Sequence, residues 1–362
     1  MMGLGGLIIL GVLAASYTTK YDAAVGHAHG ALMVPAVGFL ALQLFLARAA
    51  LRLFDDVRSF PHLLDFIVSR FLRYMPAVVP SVLLGFVLIN TLQVPGMHAE
   101  FRSLPANLLM MADLVGAADI DSSHWRLKIE IIQAVLVAAA WFGPARKHLA
   151  VLLTIALIIN ALSINGEPTR HNIFTVHGFL TNDGYLPLFV FGIALYQFTQ
   201  DRSSRVWQVM MCAAAALAFL SNTPIHGAVV VAALVALGMI ATGGLQALGR
   251  WRWLCHLGEI AFPIYVAHYV LGFVIIHRLE CLGYNAVVAI TAASTAAVAA
   301  GKLLNAWFER PLQARGPAVT KAAHELANRW SRLPIAHFRL IARSMRSTGA
   351  ARSEPVVQGL TP

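Results

Sequence analysis

The chain has 362 residues, 58% of them hydrophobic and only 12% charged, with a formal net charge of +10. A soluble domain carries roughly 25% charged residues to face water, so a soluble enzyme is excluded. Disorder and, with three cysteines, a disulfide-stapled scaffold are excluded too.

In so apolar a chain, excess Lys and Arg reports membrane topology before it reports a nucleic-acid partner. A bilayer core takes about 20 mostly apolar helical residues. Ten such segments are predicted, at 2–17, 31–50, 76–95, 127–143, 149–165, 184–199, 206–222, 226–246, 257–277 and 285–306. The first has no basic lead-in, and Ser16-Tyr17-Thr18 makes a poor cleavage site, so it reads as a retained span rather than a signal peptide. The stretch 104–118 is apolar but short and carries Asp113, which predicts an interfacial or re-entrant segment.

Alternate connections hold Arg48, Arg52, Arg58, Arg70 and Arg73, then Arg146 and Lys147, Arg202 and Arg205, Arg250 and Arg252, and finally Lys302 with the tail. This set contains 21 of the 27 basic residues. The positive-inside rule therefore predicts a multi-pass protein of the inner (plasma) membrane with both termini cytoplasmic. Past the last span, Leu326, Trp330 and Leu333, then Phe338, Ile341 and Met345, recur at helical spacing among arginines. That pattern suits basic amphipathic helices lying on an anionic leaflet. The expected fold is an all-α, polytopic membrane helix bundle of about ten transmembrane helices (1–312), with a basic amphipathic tail (313–362) whose end is disordered.

Four segments carry groups that a bilayer would otherwise exclude. Ser69–Pro76 places Arg70 and Arg73 three apart at the inner end of the third span, sharing a helix face. Guanidinium pairs suit a phosphate or pyrophosphate, although plain topology charge explains them as well. Ser122–Glu130 puts Glu130 about one turn into the fourth span, below Trp125 and Arg126. A structural pairing with Lys128 or Arg126 is the alternative there. Leu257–His268 carries a mid-span histidine that needs a partner. Trp307–Pro311 ends the last span, with Glu309 and Arg310 as a cap and Pro311 as the stop.

In order and position these segments resemble the acyltransferase-3 family of integral membrane O-acyltransferases. Arg70/Arg73/Pro76 stand where that family has R-x-x-R-x-x-P, and Trp125/Leu127/Glu130 where it has W-S-L-x-x-E. Leu257/Gly258/Ile264/Tyr265/His268 match its L-G-x-x-S-Y-x-I-Y-L-x-H, and Glu309/Pro311 its E-x-P. Phe189–Phe198 resembles its sixth span, and the likeness covers about 2–312. The family's first span has an Arg and, about eleven residues on, a His; this span has neither. Val37-Gly38-Phe39 replaces S-G-F, and Arg126 the motif serine.

The resemblance implies transfer of an acyl group, acetyl by expectation, from cytosolic acyl-CoA as co-substrate to a hydroxyl of an envelope or exported glycan or a lipid-linked saccharide. No bound cofactor, metal or nucleic acid is expected; the partners are the bilayer, acyl-CoA and the acceptor. Arg70 and Arg73 would hold the CoA phosphates. Trp125 and His268 would bind substrate, and Glu130 would orient a histidine base, His27 or His29. With no Cys or carboxylate at a helical metal spacing beside them, those two histidines make a poor metal site. A saccharide transporter or flippase, or a non-catalytic subunit of a polysaccharide-synthesis complex, fits the same spans. Cys212, Cys255 and Cys281 read as packing residues.

Overall fold

The computed structural model describes residues 2–28, 35–163, 185–244 and 251–331, and the regular structure among them is entirely helical. The membrane unit runs to Ala314. Its helices are α1 (Met2–Ala24), α2 (Pro35–Arg58), α3 (Leu63–Leu92), the short α4 (Leu104–Leu108), α5 (Trp125–Phe142) and α6 (Leu149–Ser163). These are followed by α7 (Tyr185–Gln200), α8 (Arg205–Leu220), α9 (Pro224–Ala241), α10 (Arg252–Glu259), α11 (Ala261–Cys281) and α12 (Ala286–Ala314). Nine of the ten predicted spans fall each on one of these helices, and the ninth straddles α10 and α11. Seven of the helices are long and apolar enough to cross a membrane, α6 together with the 3₁₀ turn Pro144–His148 that leads into it. Of the rest, α5 carries Arg126, Lys128 and Glu130 in its first two turns, while α7 and α8 have 16 residues each. The stretch 104–118 holds only α4 and a 3₁₀ turn at Ala112–Val115, neither long enough to cross. The chain is an all-α, polytopic membrane helix bundle.

Burial separates centre from periphery. In α1 and α11, 67% and 61% of the most apolar window is buried, against 17% in α6. The exposed face of α6 is Val151, Ile155, Ile158 and Leu162, apolar side chains suited to lipid rather than water. α1 packs against α2, α10 and α11, and α11 lies along α12. Glycine sets the closest of these approaches: a Cβ on Gly258 would stand 1.9 Å from the Met2 carbonyl oxygen, and one on Gly6 2.2 Å from that of Leu254. Small residues that let backbones touch are the usual means of joining helices where lipid supplies no hydrophobic drive.

Side chains fix several helix starts. Asp121 accepts from the Ser123 amide (2.8 Å) and opens the turn before α5; Asn285 accepts from the Val288 amide (2.9 Å) and caps α12. α3 keeps Pro76 and Pro80 inside a 30-residue helix, as membrane helices can when neighbours satisfy the freed backbone.

Two predicted boundaries are corrected. The ninth span does not begin at 257: the chain breaks at Ile260, so Leu257, Gly258 and Glu259 belong to α10, which packs on α1. Nor does Pro311 stop the last span, since α12 continues to Ala314. Residues Asn305–Glu309 form a π-helical turn, closed by the Arg310 amide on the Asn305 carbonyl. The wider register relieves the clash that a proline ring makes with the preceding turn.

The second unit begins at Arg315 and contains α13 (Gly316–Ser331), a polar helix on which Leu326 is exposed. The second tail helix expected around 338–345 lies outside the described residues.

Candidate active site

A cavity of about 340 Å³ opens among α1, α2, α3, α5, α10, α11 and α12. Five arginines line it: Arg48 and Arg52 from α2, Arg70 and Arg73 from α3, and Arg310 from α12. Glu130 comes from α5 and Glu309 from the π-helical turn of α12, while Ile8, Ile9, Phe45 and Phe262 supply apolar wall. Gly5 leaves room for Arg48, since a Cβ there would lie 2.9 Å from its Nη2.

The arginines are under-partnered. Arg70 donates to Asp56 Oδ2 at 2.9 Å. Nε and Nη2 of Arg48, Nε of Arg70 and Nε of Arg73 are buried with no hydrogen-bond partner. A buried donor left unsatisfied costs about 1–3 kcal/mol, more when charged, so these nitrogens have capacity for a further acceptor. Glu130 is a carboxylate that acts on Arg48, Arg52 and Arg73, with Asp56 also acting on Arg52 and Arg73 and Glu309 on Arg73, and it accepts a hydrogen bond from the Tyr74 hydroxyl at 2.9 Å.

The structure thus joins Arg70, Arg73 and Glu130, which the sequence assigns to opposite ends of two spans. Arg73 lies ten residues into α3, about 15 Å along its axis, so the arginines reach well inside the bundle to meet a carboxylate near the start of α5. Sequence reasoning passed over Arg48 and Arg52 as loop charge. Their four-residue spacing is a helical-face signal of the same kind as Arg70/Arg73, but α2 had to be read through to Arg58 to show it.

One helical turn beyond the cavity lies a buried polar cluster. Val12 and Tyr265 line the cavity, and Ser16 and His268 stand one turn farther along α1 and α11. Ser16 Oγ and His268 Nε2 are 3.1 Å apart, and the His268 Nδ1–Tyr265 carbonyl distance is 2.5 Å. The Tyr17 hydroxyl donates to the His268 carbonyl at 2.8 Å, and that of Tyr265 to the Ser123 carbonyl. His124 Nε2 sits 3.7 Å from Asp121 Oδ2, and Lys128 Nζ donates to Asp119 at 2.7 Å. His268 is therefore a buried group with a partner on the first helix.

Other predicted site residues are placed elsewhere. His27 does not meet Glu130. Its Nδ1 is 2.6 Å from Glu280 Oε1 and its Nε2 2.9 Å from the Tyr17 carbonyl, so both ring nitrogens are engaged. The pair is buried, with side-chain exposures of 0% and 4%, and ties the end of α1 to the end of α11. Breaking a buried ion pair from one side costs about 3–5 kcal/mol. Glu280→Ala is accordingly expected to lower the thermal midpoint in detergent without moving KM for either substrate, and a changed KM would give His27 a role at the site. Trp125 opens α5 with its ring 5.4 Å from that of Tyr185 and 5.3 Å from the Arg126 guanidinium, and it does not line the cavity. His29 lies outside the described residues.

A model of the acyltransferase-3 family, described as an acyltransferase domain, matches residues 3–304 of this chain. The chain belongs to the acyltransferase-3 family. Its activity is that of a membrane acyltransferase, and Arg48, Arg52, Arg70, Arg73, Glu130, Ser16 and His268 all lie within the matched residues. No curated protein and no solved structure matches the chain.

Proposed function

We propose that the chain transfers an acyl group, acetyl in the expected case, from acyl-CoA to a hydroxyl of an exported or envelope glycan or a lipid-linked saccharide. The observation that carries the donor half is the set of buried, unpartnered guanidinium nitrogens on Arg48, Arg70 and Arg73 around one cavity. The phosphates of CoA are the anions such forks recognise. At about 340 Å³ the cavity is small among ligand sites, which suits a slender thioester arm with its charged end at the arginines. In this reading the arginine end faces the cytoplasm of an inner-membrane protein, where acyl-CoA is made, and both termini lie on that side. The acceptor rests on the family resemblance, and Asp121, His124 and Arg126 supply the polar groups a sugar would need at the other end.

The Arg70→Ala/Arg73→Ala double variant tests the donor site. Each charge-assisted hydrogen bond contributes about 1.5–3 kcal/mol, so KM for acyl-CoA should rise by at least about tenfold with kcat largely kept, the signature of lost uniform binding. An unchanged KM would sink the assignment. A saccharide carrier, by contrast, would move its cargo with the thioester intact, so acyl-CoA consumption with acceptor present separates the two readings.

A further inference from the structure

The first helix lacks the histidine that the resemblance implies, yet it brings a hydroxyl to one. The Tyr265 carbonyl can only accept, so His268 Nδ1 carries the proton on that side. In the neutral ring Nε2 is then a lone pair, and Ser16 Oγ, 3.1 Å away, donates to it. A hydroxyl on a base, with the base oriented by a third group, is the arrangement of an activated nucleophile. Ser16 opens the π-helical turn Ser16–Lys20, and such turns recur at functional sites. Both residues are buried, at 4% and 1% exposure. The charged groups facing His268 are Asp121, Arg126 and Lys20, and Arg126 Nε is itself buried without a partner. The dyad stands one turn, about 5.4 Å, along α1 and α11 from Val12 and Tyr265 in the wall of the arginine cavity.

Building on the acyl-CoA reading above, we propose that Ser16 is a covalent relay for the acyl group, with His268 as its base. In the first half-reaction Ser16 Oγ attacks the thioester carbonyl, the new Oγ–C bond forms and the C–S bond breaks. The hydroxyl proton passes to His268 Nε2 and then to the departing sulfur, so CoA leaves as the thiol. In the second half, His268 Nε2 takes the proton of the acceptor hydroxyl, whose oxygen attacks the acyl-serine. The Oγ–C bond breaks, and the proton returns to Ser16. The relay would let donor and acceptor react from opposite ends of the bundle: only the acyl group crosses.

The test is peptide mass spectrometry of the full-length protein in detergent after incubation with acetyl-CoA and no acceptor, alongside acetyl-CoA binding. The expected result is an added acetyl on the peptide bearing Ser16, stable to neutral hydroxylamine and discharged by acceptor. Ser16→Ala should bind acetyl-CoA and carry no acetyl. Ser16→Cys should carry one that hydroxylamine removes, and His268→Gln should acylate about 10²–10⁴-fold more slowly. Acetyl-CoA binding with no acetyl on Ser16, or transfer undiminished in Ser16→Ala, overturns the relay and leaves the donor site standing. Absence of acetyl-CoA binding to the unmodified protein overturns both.

Discussion

Glu130→Gln is expected to tighten CoA binding and at the same time weaken the ligand-free fold. Glu130 is 7% exposed and is the one carboxylate that acts on all three of Arg48, Arg52 and Arg73, with Tyr74 as its hydrogen-bond donor. Gln keeps the shape and can still accept from Tyr74, so the change is one of charge. Without ligand, three guanidiniums would then repel one another inside the bundle, and removing the buried counter-charge costs about 3–5 kcal/mol. With CoA bound, its phosphates take over that role and no longer compete with a carboxylate. At an effective dielectric constant near 20, one such charge changes anion affinity by about tenfold. The thermal shift on adding CoA should therefore grow, from a lower starting midpoint to a lower Kd. If Glu130 instead orients a histidine base, the same variant would lose kcat with Kd and midpoint unmoved.

The second large effect belongs to Gly258. Its missing side chain lets α10 rest on the backbone of α1, and the Cβ of an alanine would stand 1.9 Å from the Met2 oxygen. Neither atom belongs to a flexible side chain, so the two helices must separate. Overpacking of this kind costs about 1–3 kcal/mol, and Val should exceed Ala. The displacement also bears on the site, because Gly5 on the same helix makes room for Arg48. Thermal unfolding in detergent should show a lower midpoint for Gly258→Ala and a weaker response to CoA. Gly238, inside α9, is the control: nothing lies within 4 Å of the position a Cβ would take. Alanine there should stabilise by about 0.5–1 kcal/mol. Equal behaviour of the two variants would refute the packing argument.

Hydropathy alone made the spans legible, since a lipid-facing helix must be apolar over its length. It placed boundaries poorly wherever polar residues are buried by protein rather than exposed to water. α2 extends two turns past its predicted end, where Arg52 lines the cavity, and Ile260 divides a run that reads as a single span. Arg70, Arg73 and Glu130 stood out because a bilayer penalises them singly. Their meeting in one cavity did not, because it depends on how far each helix is threaded. The contact of Ser16 with His268 joins residues 252 apart, and no local pattern encodes it. The expected partnership of Glu130 with His27 failed for the same reason, as Glu280, also distant in sequence, holds that histidine.

The neighbours of α1 also set an order of assembly. The residues it packs against on α10 and α11 follow it by some 250 positions. At about 5–20 residues per second, a ribosome needs roughly 10–50 s to make that stretch. During that interval the glycine face and the Ser16 hydroxyl of α1 have only lipid, α2 or an insertion factor to lie against. The catalytic architecture thus closes late, as the chain's early and late helices find each other after most of the bundle is already in the membrane. Mutations that slow this closure would reduce the yield of active protein without touching a single residue of the mature site.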